Sequence, residues 1–186
     1  MDKIVLSGKR ELDIYINPRR QDLLRCMRIS GVPMTPKQLA GKMGVSPSSI
    51  QHHLRKLMEI GLVELSHTER IHGITASYYR APPKTVSIGS LTEDANKAQR
   101  LALMQSSLSR VFSGYAAYCE EDPEEAVRAA QYGDMLSGII RLDGEEVKAL
   151  YSLIRAFLDA HEQSGGGGDA WEYALIAYPV AEAENA

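Results

Sequence analysis

Two helix starts that each combine a hydroxyl side chain with a proline lie close together in this sequence. They are Thr35-Pro36 and Ser46-Pro47. The hydroxyl oxygen can accept a hydrogen bond from the backbone, and proline suits the first helical position because its missing N–H would be unsatisfied there anyway. Gly44 lies between them, where a residue with positive φ ends a helix. The sequence therefore predicts one helix over residues 37–43 and a second from Pro47 to the glycine at 61.

Two helices joined by so short a turn must cross at a large angle, which predicts a helix-turn-helix. Ile50, Leu54 and Leu57 give the second helix an apolar side, since they lie at i, i+4 and i+7. The β-prone runs GLVELSH (61–67) and TASYYRA (75–81) follow it, on either side of the polar run TERIHGI. Two strands around a charged turn, directly behind the second helix, predict a wing.

Polar side chains occupy the face of the second helix opposite Ile50. Hydroxyl, amide, imidazole and guanidinium groups near a helix start are those that read major-groove base edges and phosphates. A cation in the predicted wing turn could enter a minor groove or contact phosphate. The alternative is an ordinary solvated helix face and a hairpin charged for solubility, with His53 a hydrogen-bonded residue at the edge of the apolar stripe. The predicted DNA-binding residues are Ser46, Ser48, Ser49, Gln51, His52, Arg55, Lys56, Arg70 and His72.

A supporting helix is predicted upstream, where NPRRQDLLRCMRI (17–29) repeats the cap-and-proline pattern and Cys26 falls on the apolar side. The pattern LA…MGVS…I..HL..L...GLV, closed by Tyr78-Tyr79-Arg80, resembles the ArsR type of winged helix-turn-helix transcriptional regulators. The resemblance covers residues 17–81 and implies that the helix over 47–60 is the recognition helix. Metal-sensing members carry a Cys-Val-Cys type of motif on that helix or the one before it. This sequence has none there, so we expect no metal.

Charge is distributed unevenly along the chain. Up to Ser90 there are 14 Lys and Arg against 7 Asp and Glu, a net charge of +7; from Leu91 onward there are 7 against 17, a net charge of −10. A basic N-terminal half is typical of a surface that meets a polyanion. The alternative is that surface charges simply fell unevenly.

The acidic half predicts a long helix over 91–121, a strand over 136–142, an amphipathic helix over 143–163 and a strand over 171–180. The expected fold class is therefore mainly α with a small β component (α+β). A winged helix-turn-helix domain (1–85) would be followed by an α+β dimerisation or effector domain (91–181) and a short tail (182–186). The first of these helices carries an apolar stripe, which is either core or a seam against a second copy. The predicted dimerisation residues are Leu101, Leu108, Val111, Phe112 and Tyr115.

Motifs for catalysis are missing from the sequence: there is no glycine-rich phosphate loop, no nucleophile elbow and no metal-spaced cluster. We therefore expect no enzyme and no cofactor. No apolar run approaches the length of a membrane span and the N-terminus has no apolar signal core, so we expect a cytoplasmic protein. Cys26 and Cys119 lack CxxC spacing, which argues against a disulfide framework. A thiol switch is disfavoured, which leaves a small organic effector in the acidic half or none.

These observations predict a homodimeric, sequence-specific DNA-binding transcriptional regulator that acts as a repressor on a near-palindromic operator. One recognition helix reads only a few base pairs, whereas a two-fold pair spans about 34–36 Å and reads far more. The alternative is a winged module that binds protein without binding DNA. The basic N-terminal half favours DNA.

Overall fold

The computed structural model describes residues 3–71, 73–88, 94–120, 133–163 and 168–180. Within these residues the chain forms four short or medium strands and six helices. In chain order they are β1 (Lys3–Val5), α1 (Lys9–Ile16), α2 (Pro18–Ser30), α3 (Pro36–Met43), α4 (Pro47–Glu59), β2 (Glu64–Ile71), β3 (Ile74–Arg80), β4 (Thr85–Ser87), α5 (Lys97–Glu120) and α6 (Gly144–Gln163). The chain divides into two compact units, one of residues 1–103 with 140–168 and one of residues 104–139 with 169–186.

The caps of α3 follow the predicted pattern. The Thr35 hydroxyl accepts a hydrogen bond from the Gln38 backbone N–H at 3.3 Å, and the Gln38 side-chain oxygen accepts from the Thr35 N–H at 2.8 Å. This reciprocal capping box satisfies two donors that the first turn would otherwise leave unpaired. Gly44 ends the helix at φ +64°, where a side chain would be strained. The predicted bounds of α3 are confirmed.

The second helix, α4, is fixed in the same way. The Ser46 hydroxyl accepts from the Ser49 backbone N–H at 3.2 Å, and Pro47 occupies the first turn. Ile50, Leu54 and Leu57 point into a core shared with α2, α3 and the residues just before β2, and none is more than 1% exposed. Because α3 and α4 start at fixed points and share this core, their crossing is fixed too. This is the predicted helix-turn-helix.

The wing is an antiparallel hairpin of β2 and β3, but its turn is shorter than predicted. Pairing continues from Glu64 opposite Arg80 to Ile71 opposite Ile74, with an irregularity between Leu65 and His67. The predicted seven-residue turn over 68–74 is therefore wrong, since most of it lies in the strands. Cross-strand pairing satisfies the backbone of these polar residues, which outweighs their weak strand propensity.

The N-terminal segment contributes two elements that the sequence pattern does not predict. Helix α1 precedes α2, and β1 pairs with β4 in a parallel two-stranded sheet, with Ile4 opposite Val86. The predicted supporting helix corresponds to α2, capped by the Asn17 side chain, which accepts from the Arg20 N–H. Cys26 on α2 packs against the core and is half-buried, as predicted.

The acidic half differs from the prediction in its strands. Helix α6 forms close to the predicted bounds. Helix α5 begins only at Lys97, later than predicted, since residues 94–96 are not helical; residues 91–93 and 121 of the predicted helix lie outside the described residues. Residues 136–142 and 171–180 form no strand, so both predicted strands are wrong. An apolar run becomes a strand only where another strand pairs with its backbone, and none does so among the described residues. No helix in the described part of the chain has the length and apolar character needed to cross a bilayer.

Burial is concentrated in the N-terminal half. The buried apolar side chains among the described residues lie between Leu6 and Val63, except for Pro82 after the wing and Leu103 on α5. None of the described residues from 104 to 180 is buried. On the predicted dimerisation stripe, Leu101, Leu108 and Phe112 are exposed, whereas Val111 and Tyr115 are half-buried.

Replacement of Leu54 by Ala should lower the free energy of unfolding by about 2–5 kcal/mol, because it leaves a cavity in the core under α4. Urea unfolding followed by circular dichroism measures the change. Met58→Ala on the same helix is the matched control, since Met58 is 40% exposed and should cost far less. Equal losses for the two variants would show that α4 does not pack by its Leu54 side.

His53 lies at the edge of the apolar stripe of α4, and its Nδ1 atom is buried without a hydrogen-bond partner in the described structure. Burial lowers the pKa of His53, and the neighbouring cations Arg20, His52 and Arg19 lower it further. Arg20 is held nearby because its guanidinium donates to the backbone carbonyls of Ile14 and Asp13. The boundary position is as predicted, but the predicted hydrogen bond is not observed for Nδ1.

We expect the stability of the protein to fall in mild acid through His53. The unfolded chain takes up this proton at a higher pH than the folded protein does, so the free energy of unfolding decreases as the pH falls through the ordinary histidine value of 6.5. His53→Gln should reduce this loss in urea titrations between about pH 7.5 and pH 5.5. His52→Gln, which changes the exposed neighbouring ring, should keep most of it, because burial is the largest cause of the lowered pKa of His53. A loss of stability that persists in His53→Gln would assign it to other groups.

Candidate nucleic-acid interface

The face of α4 that points away from the core carries the exposed side chains of Ser48, Gln51, His52 and Arg55, and Glu59 lies on the same face in the last turn. The core residues on the opposite side of the helix fix its rotation, so these side chains share one surface without needing contacts of their own. The face offers a hydroxyl, an amide, an imidazole and a guanidinium to a partner, which includes both donors and acceptors for base edges.

The serines at the start of α4 have structural roles besides the predicted one. The Ser46 hydroxyl caps the helix and lies 3.0 Å from the Ser48 hydroxyl. Ser49 is half-buried. Ser46 therefore sets where α4 begins, and both Ser46 and Ser48 are exposed to solvent. The remaining predicted reader groups, from Gln51 to Arg55, lie one to two turns further along.

Two shallow grooves connect α4 to the wing. One, of about 260 Å³, is lined by Gln51, Leu54, Arg55, Met58 and Tyr79. The other, of about 270 Å³, lies between the starts of α3 and α4 and strand β3; its lining includes Lys37, Gln51, Thr75 and Ser77. Gln51 and Tyr79 line both grooves, so the recognition face of α4 continues directly onto the wing.

The register of the hairpin places Arg70 on the side of the wing that faces α4. Arg70 pairs with Thr75, and Thr68 pairs with Ser77, so these four side chains share one face. Thr75 and Ser77 line the groove beside α4, which identifies that face as the inner one. Arg70 thus lies in β2 rather than in a turn. The predicted reader His72 lies outside the described residues.

The outer face of the wing is organised by its own contacts. His67 and Tyr78 stack with ring centroids 4.5 Å apart and planes 8° from parallel. A hydrogen bond between the Tyr78 hydroxyl and Glu69 raises the pKa of Tyr78. These contacts join β2 to β3 on the side of the hairpin away from α4.

Lys56 differs from the other predicted readers because its charge is already paired. Its ammonium lies 2.7 Å from Glu59 Oε1, and Arg10 of α1 lies 2.8 Å from Glu59 Oε2. The hydrogen bonds from Lys56 and then Arg10 lower the pKa of Glu59, which stays ionised. The helix wheel places Lys56 on the flank of the face, so sequence alone does not reveal this triad.

Some groove residues were missed by the sequence-based prediction. Lys37, Thr75 and Ser77 line the same groove as Gln51, yet they come from α3 and β3. Alternation along a predicted strand groups Thr75 with Ser77, but only the fold shows which face meets α4. No group of three or more His, Cys, Asp and Glu side chains suited to a metal ion occurs within the described ranges.

Residues 15–66 match the family model described as a helix-turn-helix domain. A solved structure described as the adhesin competence repressor AdcR from Streptococcus pyogenes aligns with 81% of this chain and 83% of its own, at 9% sequence identity and a TM-score of 0.33. At that TM-score the fold assignment depends on the domain match and on the elements of the chain itself. A comparison with curated proteins gives no match. With the hairpin that follows α4, the N-terminal part of this α+β chain is a winged helix-turn-helix domain, the type of domain that supports DNA binding.

Proposed function

We propose that the protein is a sequence-specific DNA-binding transcriptional regulator of the ArsR type, acting as a homodimeric repressor on a near-palindromic operator. The observation that carries this proposal is the exposed polar face of α4, with Gln51, His52 and Arg55, on a helix whose start and rotation are fixed. The match to a helix-turn-helix domain supports DNA as the partner.

The geometry supports division of the contacts into two kinds. We assign Gln51, His52 and Arg55 to base edges in a major groove, which is supported by their exposure along one face of α4. We assign Arg70 on the inner wing face and Lys37 beside the groove to the sugar-phosphate backbone. Backbone contacts set orientation, and base contacts give sequence preference.

The rival function is a winged module that binds protein. The exposed face of α4 could also bind a protein, but a protein-binding module does not need the net charge of +7 carried by the residues up to 90. A charge of this sign attracts phosphates and raises the rate of association with DNA. We therefore favour DNA as the partner. We also propose that the protein acts in the cytoplasm and is not an enzyme.

A second copy is supported by the state of the C-terminal half. Leu108 and Phe112 lie one turn apart on α5. Leu108 is 45% exposed and Phe112 is 61% exposed. A single chain with no buried residue from 104 to 180 within its described part leaves its apolar side chains without a core. A seam between two α5 helices would cover the stripe and place two recognition helices on one duplex. A small organic effector in this half stays a prediction.

Replacement of Arg55 by Ala should weaken binding to a preferred duplex by about 1–3 kcal/mol and relax one base position. The preferred duplex is selected from a randomised library by gel shift, and the affinities are then measured at several salt concentrations. Arg28→Ala on α2 removes an exposed arginine from another element and should leave the sequence preference unchanged. Complete absence of binding by the wild-type protein at low salt would reject the DNA proposal. Unchanged affinity and preference in Arg55→Ala would reject the orientation of α4.

A double replacement, Leu108→Glu with Phe112→Glu, should give monomers, because two carboxylates cannot be buried in an apolar seam without a large desolvation cost. Sedimentation velocity measures the oligomeric state. Ser106→Glu with Ser113→Glu puts the same two charges on the opposite side of α5 and should leave the dimer intact. A dimer that survives the first pair of substitutions would place the interface on another element.

A further inference from the structure

The last turn of α4 carries a carboxylate on the face that we assign to DNA. Glu59 shares that face with Ser48, His52 and Arg55, seven residues beyond His52, or about 10 Å along the helix axis. A negative charge here is unfavourable for two reasons. It lies at the C-terminal end of a helix, where the helix dipole repels it, and it faces a polyanion.

Both oxygens of this carboxylate are bonded to cations. Lys56 lies 2.7 Å from Oε1 and Arg10 lies 2.8 Å from Oε2. The Arg10 side chain is 79% exposed, so the group lies at the surface and is not part of the core. A single glutamate therefore holds two cations at the C-terminal end of the recognition helix, one from α4 and one from α1.

We propose that Glu59 keeps Lys56 and Arg10 off the DNA phosphates and thereby limits the sequence-independent part of DNA affinity. This inference rests on the proposed DNA-binding function. It assigns opposite roles to neighbouring residues on one helix: Arg55 reads sequence, whereas Glu59 restrains non-specific attachment.

The physical argument concerns counterion release. Each lysine or arginine that neutralises a phosphate steepens the salt dependence of binding by about 0.9 units of log affinity per log salt. Lys56 or Arg10 can neutralise a phosphate only if its ion pair with Glu59 breaks. The bare carboxylate would then repel phosphates within a Debye length, which is about 10 Å at 0.1 M salt. Hydrogen bonds from Gln51 or Arg55 to bases do not carry this cost.

The position of Glu59 also argues against a purely stabilising role. Exposed ion pairs contribute little to folding, commonly about 0–1 kcal/mol. The carboxylate opposes the helix dipole at the same time. Helix α1 also buries Leu12 and Ile14, so its packing does not depend on charge alone. We therefore assign Glu59 a role in DNA binding rather than in folding stability.

The test measures binding of the full-length protein to a random-sequence duplex by fluorescence anisotropy, from about 50 to 200 mM salt. Glu59→Gln should steepen the salt dependence by about one to two units and tighten binding roughly three- to tenfold near 0.1 M. Glu145→Gln is the matched control. It breaks another i,i+3 pair, with Lys148 at 2.7 Å on α6, and changes the net charge by the same amount. This control should leave the salt dependence as it is.

The variant Arg10→Gln tests whether the Glu59 ion pairs limit non-specific DNA binding or only dock α1 onto α4. It removes one of the two cations that are paired with the Glu59 carboxylate, so non-specific binding should become weaker than in the wild-type protein, opposite in direction to Glu59→Gln. If the pair only docks α1 onto α4, both variants will lower the melting temperature and shift DNA affinity in the same direction, which overturns the inference. Equal behaviour of Glu59→Gln and Glu145→Gln also overturns it. A wild-type protein that binds no DNA at low salt fails the proposed function itself.

Discussion

A pair of backbone hydrogen bonds between Met34 and Tyr79 ties the wing to the helix-turn-helix. Each N–H donates to the other's carbonyl at 2.9 Å, immediately before the cap of α3. Met34 is buried, and Tyr79 packs against the same core as α4. An isolated two-stranded hairpin is marginally stable in water. These bonds therefore join β3 to the helical core, and they hold it beside α4, where the two grooves lined by Gln51 and Tyr79 lie.

The predictions from sequence succeed where structure is decided locally. The starts and ends of α3 and α4 depend on Thr35, Ser46 and Gly44, whose effects reach only a few residues. The length of the wing turn depends on pairing between β2 and β3, and the parallel sheet joins residues some 80 positions apart at Ile4 and Val86. The two C-terminal strands failed for the same reason, because an apolar run shows hydrophobicity but not whether a strand lies beside it.

The candidate site divides in the same way. The 3.6-residue period correctly separates the buried side of α4 from the face with Gln51, His52 and Arg55. Whether a charged side chain on α4 is free to bind a phosphate depends on partners that are distant in sequence. Lys56 is held by Glu59, which is also held by Arg10 from α1. A helix wheel shows where a charge points, whereas the fold decides whether that charge is free to meet a phosphate.

The unequal burial of the two halves has a consequence for how such a regulator would work. The winged domain contains nearly all buried apolar side chains of the described chain, so the exposed polar face of α4 is organised within one copy. The C-terminal half has exposed apolar side chains, including Phe112, Phe157 and Trp171, and so it gains most from a partner. Stability that comes from association rises with protein concentration. If the partner is a second copy, dimer assembly and pairing of the two recognition helices become one equilibrium. Anything that shifts the packing of α5 then changes operator affinity without touching a residue of α4.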